Sequence, residues 1–112
     1  MDSILTSIKK LLGITEEYTH FDTDIMIHIN SVFNTLTQIG VGPVEGFAID
    51  GPEDEWDEFI ANDPVRLNMV KTYVYLKLRL IFDPPTSSSV LTSYEKQISE
   101  LEWRLNVAAD KT

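Results

Sequence analysis

The side chains with the most chemical capacity in this sequence are carboxylates crowded into one short stretch. From Asp50 to Glu58 the chain reads DGPEDEWDE, with acids at positions 50, 53, 54, 55, 57 and 58. Carboxylates at that density are raw material for a divalent-cation site, because hard cations take oxygen ligands. A calcium loop needs its ligands at alternating positions and a glycine in the middle, whereas here glycine and proline stand second and third. The run therefore reads as a solvated acidic loop. His20 and His28 lie eight residues apart, outside any zinc-binding spacing, and His28 falls one helical turn after Asp24, where a surface pairing is expected. Ser87, Ser88 and Ser89 lack the strand–turn–helix setting of a nucleophile elbow and read as helix caps. No glycine-rich phosphate loop follows a strand. The sequence thus assigns no catalytic residue, no metal ligand and no cofactor site, and an enzyme is not expected.

The elements around these residues read as helices. Ile4, Leu5, Ile8, Leu11 and Leu12 recur at three- and four-residue spacing, so Ser3 to Leu12 is a short amphipathic helix capped by Gly13, with Lys9 and Lys10 on a solvated face. A second helix starts near Asp22 or Thr23, both good N-caps, and carries Ile25, Ile29, Val32, Phe33, Leu36 and Ile39 along one stripe. Asn30, Thr35 and Gln38 lie off that stripe. Val41 to Asp63 contains eight acids and no lysine or arginine. Apart from one or two helical turns at PEDEWDEFI, it is a loop long enough to be functional or mobile.

A third long helix runs from Pro64 to Phe82. Val70, Val74, Leu78 and Ile81 form one stripe, widened almost all the way round by Leu67, Tyr73, Leu76 and Leu80, which is the signature of a central bundle helix. Lys71, Lys77 and Arg79 mark its solvent side. Pro84 forces Asp83 out of the helical region and Pro85 does the same to Pro84, so the helix must stop at a rigid corner. Thr86 to Ser89 then offer caps to a last helix with Leu91, Tyr94, Ile98, Leu101 and Leu105 on one seam. Glu100 and Arg104 form an i,i+4 pair worth about 0.3 kcal/mol. That seam is too short for a free coiled coil and must pack on the central helix or on another subunit. The tail NVAADKT is expected to fray. The fold class is all-α: a small bundle of four to five helices with a long acidic loop between the second and third long ones.

At 112 residues the chain is expected to form one domain, 1–112, with a core needing neither metal nor disulfide, and it has no cysteine. Its N-terminus places an acid before its lysines, the wrong order for a signal peptide, and no apolar run approaches the ~20 residues that span a bilayer. A soluble protein with no membrane partner is expected. Eighteen acids against nine basic residues give a net charge of −9. Such a surface repels DNA phosphates, which leaves a surface that DNA passes without sticking, or a mimic of DNA. Trp56 and Phe59 in the acidic segment and Trp103 among charged neighbours are the large aromatics not obviously consumed by the core, and aromatics of this kind are enriched at interfaces.

Taken together, IKKLLGI, DIMIHINSVFNTLTQIGVGP and VKTYVYLKLRLIFDPPTSSSVLTSYEKQISELEWRLN resemble the small head–tail connector (adaptor) proteins of tailed bacteriophages and prophages, especially of Gram-positive hosts. LIFDPPTSS and ISELEWRLN are the most specific pieces. The resemblance implies an α-helical, non-enzymatic neck protein of the virion, assembled in the host cytoplasm as a ring beneath the portal. Such a ring extends the DNA channel and supports the stopper or tail-completion protein. DNA is passing cargo. It also implies that the segment after Arg104 docks on the portal and that helix faces meet adjacent subunits. Candidate contacts are then Trp56, Phe59, Trp103, Leu105 and Val107. The alternative is an acidic DNA-mimic inhibitor of a nuclease or repressor. A small enzyme or ligand-binding bundle is a third, and the helices offer no convergent polar groups for it.

Overall fold

In the computed structural model, which describes residues 3–110, helix starts and stops follow local rules closely. Helix α1 spans Ile4–Leu11, with Ser3 as N-cap accepting a hydrogen bond from Thr6 N–H at 3.2 Å. Helix α2 is Asp22–Gln38, α3 is Trp56–Phe59, α4 is Pro64–Phe82 and α5 is Ser88–Asp110. Among the described residues the extended structure amounts to one isolated antiparallel bridge, Ser3 to Glu55. The architecture is all-α.

The bounds of α4 are those the prolines dictate. Asp63 caps its start through the backbone N–H and side chain of Arg66, and those two bonds hold the Asp63 carboxyl below the usual aspartate range. At the far end Asp83 N–H reaches only back to Arg79 before the proline corner. Ser87 opens α5, its hydroxyl accepting from Val90 N–H and its carbonyl from Leu91 N–H.

Helix α4 packs on both α2 and α5, and α1 packs on α2. The result is a slab of 39 × 36 × 20 Å, two helices thick at ordinary interaxial spacing. One apolar core draws on all five helices: Ile4 and Ile8 of α1, Ile29 and Phe33 of α2, Trp56 of α3, Val74 of α4 and Leu105 of α5 are among its residues. The expected α4 stripe is buried at Val70, Val74 and Leu78, but Ile81 stands half exposed beside the corner. The α4 cations are not simply solvated. Lys71 lies over the Trp56 ring, Lys77 over Tyr73 and Arg79 over Tyr94, at 5.7, 5.6 and 5.9 Å from the ring centroids. Their stems therefore shield aromatic surface while their charges stay hydrated.

Tyr73 fixes α4 to α5. Its ring is buried and its hydroxyl donates to Glu102 Oε2 at 2.6 Å. Burial, then the bond to Glu102 and its negative charge, push the phenol well above its ordinary value. A raised phenol pKa contributes stability that is complete below the unfolded-state value, about 10, and is lost as pH climbs through the folded value. Tyr73→Phe is expected to cost about 1 kcal/mol at neutral pH. The gap to the parent should close as pH rises beyond 10, as urea denaturation between pH 8 and 11 can show. A gap that stayed constant with pH would refute this account.

Three sequence expectations need correction. Asp22 and Thr23 do not cap α2; Phe21 occupies the cap position without a side-chain bond. Lys9 is 2 % exposed rather than solvated. Its ammonium donates to the carbonyls of Glu16 at 3.0 Å and Tyr18 at 2.8 Å, and lies 2.8 Å from Asp22 Oδ1. That oxygen is shielded from solvent and sits off hydrogen-bond alignment, so the contact is an ion pair. Asp22 is thus drawn away from capping to neutralise a buried lysine. Finally, the tail does not fray after Asn106: α5 continues to Asp110, Asn106 donates to the Ile39 carbonyl, and Ala109 lies against Gly40. Residues 111–112 of the predicted tail lie outside the described residues.

Candidate interaction surface

The acidic segment is built into the fold. Asn30, which the sequence leaves off the α2 stripe, clamps it from both sides: its amide donates to Ile49 O at 2.9 Å and its oxygen accepts from Ile49 N–H at 2.7 Å. Ile4 N–H reaches Asp54 O at 2.9 Å, and Glu55 and Glu58 close a reciprocal capping box around α3. Val41, Ile49, Trp56, Phe59 and Ile60 turn inward. Gly42, at φ 87°, lets the chain pass so close that a Cβ there would collide with the Phe59 ring.

This settles where the five predicted contact residues lie. Trp56 is 2 % exposed, its indole N–H donating to Ser7 Oγ at 2.8 Å and its ring meeting Phe33 at 6.2 Å. Phe59 packs on Phe33 and Phe47, and Leu105 is fully enclosed. These three side chains are occupied by the core and are not free to meet a partner. The two aromatics look spare in the sequence because much of what covers them, Ser7 of α1, Phe33 of α2 and Lys71 of α4, is far off in the chain. Trp103 is 67 % exposed on the outer face of α5, and Val107 is half-buried one turn later.

The other chemical candidates resolve as follows. Asp50, Glu53 and Asp54 each bring a carboxylate oxygen within 4.8 Å of the others across the Gly51–Pro52 turn. The hydrogen bond to Asp54, then the charges of Asp54 and Glu53, raise the Asp50 carboxyl, and Asp54 Oδ2 already accepts from Asp50 N–H. His20 sets its ring against Phe21 at 4.8 Å, while His28 lies edge-on to Phe82 at 5.3 Å rather than serving Asp24. Ser87 and Ser89 share a hydrogen bond at 2.9 Å at the start of α5.

A feature the sequence does not announce is an apolar groove of about 410 Å³ where α1 runs into α2 beside the end of α4. Leu12, Ile14, Phe21 and Phe82 line it, with Asp24 and Asp83 at its polar positions. Asp83 is engaged by Arg79, whereas among the described residues Asp24 has no hydrogen bond or ion pair to another side chain. The sequence signal is only the unexplained run of apolar residues on either side of the first loop and at FDPP. Their convergence requires the tertiary fold. No described helix is long and apolar enough to cross a membrane.

The surface therefore offers one exposed indole, one acid-rimmed apolar groove, and acids spread over a segment packed on the core. No curated protein and no solved structure matches the chain. The family model for phage connector proteins matches residues 4–112, nearly its whole length, and the chain thus belongs to this family of structural phage proteins.

Proposed function

We propose that the protein is a neck component of a tailed phage, assembling as a ring between the portal and the stopper or tail-completion protein and extending the channel through which DNA passes. Membership of the phage connector family makes it a structural component of the virion that works through other phage proteins. The observation that supports the finer reading is Trp103: a large aromatic kept 67 % exposed on a helix whose Ile98 and Leu105 are buried and whose Tyr94 and Leu101 are half-buried. Tryptophan is enriched where partners bind. A net charge of −9 suits a channel component, because each phosphate contact by lysine or arginine adds affinity that would retard passing DNA. The last turn of α5, where Asn106 and Ala109 meet the end of α2 and Val107 is half-buried, is the portion assigned to the portal.

The test is the mass of the protein in solution, alone and mixed with its portal. A ring-sized complex with the portal is the expected result. Trp103→Ala should shift stability by no more than about 0.5 kcal/mol, as exposed sites do, yet reduce the yield of that complex. A chain that ignores the portal but is bound tightly by a nuclease or repressor overturns the reading in favour of a DNA mimic.

A further inference from the structure

We propose that the exposed Trp103 of one copy inserts into the groove formed by Leu12, Ile14, Phe21 and Phe82 of the next, with Arg104 meeting Asp24. This deepens the ring reading above and rests on it. The two halves are complementary in kind. The groove is apolar with an unpaired carboxylate at its rim, so it suits an apolar anchor flanked by a cation. Within this chain that combination stands at Trp103-Arg104, with Lys96 seven residues earlier on the same helical face as Trp103. Among the described residues Arg104 is held by an exposed pair with Glu100, which is weak and readily exchanged.

A copy cannot fill its own groove. Helices α4 and α5 are antiparallel, with Tyr94 level with Arg79 and Glu102 level with Tyr73. Trp103 therefore lies near Thr72, about ten residues and roughly 15 Å along α4 from Phe82 at 1.5 Å per residue. Anchor and groove at separate places on one molecule allow a head-to-tail contact, which makes a ring where the rotation between successive copies closes.

Magnitudes decide when the contact forms. One tryptophan buries about 150–250 Å², far below the ~1,000 Å² of a stable interface. The net charge of −9 on each copy opposes association as well, although beyond roughly 8 Å it is screened at physiological salt. The contact is consequently weak between free copies and effective when further contacts hold neighbours in register.

The lack of native cysteine allows a direct test. Ser99→Cys stands one turn before Trp103 on the same face, and Thr23→Cys stands beside Asp24; both sites are exposed and leave anchor and groove intact. Mixed at high concentration with a short bis-maleimide linker, the two variants should cross-link to each other in excess over either with itself. They should also exceed a control mixing Ser99→Cys with Val65→Cys. The excess should vanish when Trp103→Ala is added to the Ser99→Cys chain. Asp24→Lys on the groove copy should weaken it, and Arg104→Asp on the anchor copy should restore it. Dominant Ser99–Ser99 products, or a yield no better than the control, overturn the pairing. If the unmodified protein still forms a ring-sized complex with the portal, only the pairing falls; if it does not, the ring reading falls with it.

Discussion

Lys9→Met is expected to lower the unfolding free energy by about 3 kcal/mol, the lower end of what removing one partner from a buried ion pair costs. The methionine conserves most of the packing volume, so the loss isolates the ammonium. Without it, the carbonyls of Glu16 and Tyr18 lose their donor and Asp22 keeps a charge with no counter-ion. Asp22 is partly open to water, which lets it rehydrate and keeps the loss from going higher. Asp22→Asn should cost less, since Lys9 retains both carbonyls and the amide still presents an oxygen. In urea the Lys9→Met midpoint should fall with an unchanged slope. A shift smaller than about 0.5 kcal/mol would mean that water already satisfies these groups. The groove gives this result functional weight. Lys9 ties the α1–α2 connection to the start of α2, and that connection supplies Ile14 and Phe21 to the groove. On the proposed pairing of copies, Lys9→Met should also weaken the contact through groove geometry rather than through any direct contact.

Trp56→Ala is expected to cost about 4 kcal/mol, within the range for emptying a buried tryptophan site. The ring is enclosed, meets Phe33 edge-on, lies under Lys71 and donates to Ser7. It thereby joins α1, α2 and α4 to the acidic segment. Trp56→Phe keeps most of the apolar contact and loses the indole bond to Ser7, so its cost should be clearly smaller. Two observables discriminate a core role from a detachable flap. A core role lowers the global urea midpoint and reduces hydrogen-exchange protection in α2 and α4 as well as in 41–63. If only residues 41–63 lost protection while the midpoint held, the segment would be a separable flap. The predicted outcome makes the acidic segment part of the cooperative core rather than an appendage to it.

Much of this architecture is legible from neighbouring residues alone. Pro64 and the Pro84-Pro85 corner set the limits of α4, because a missing N–H and a fixed φ act on the residues beside them whatever surrounds the helix. The apolar stripe of α2 and the seam of α5 also stand as their spacing implies, since a 3.6-residue period selects one face before any partner is known. What only the tertiary structure decided concerns side chains that can serve either interior or surface. Lys9 is buried because two loop carbonyls and Asp22 converge on it. Asn30 becomes a clamp because Ile49 crosses its helix. Trp56 and Phe59 enter the core while Trp103 stays out, although composition and immediate neighbours make all three look alike. The reason is that periodicity and capping are local, fixed within one or two helical turns. Burial of an ambivalent side chain depends instead on which distant segments arrive to cover it, and no short stretch of the sequence contains both halves of that contact.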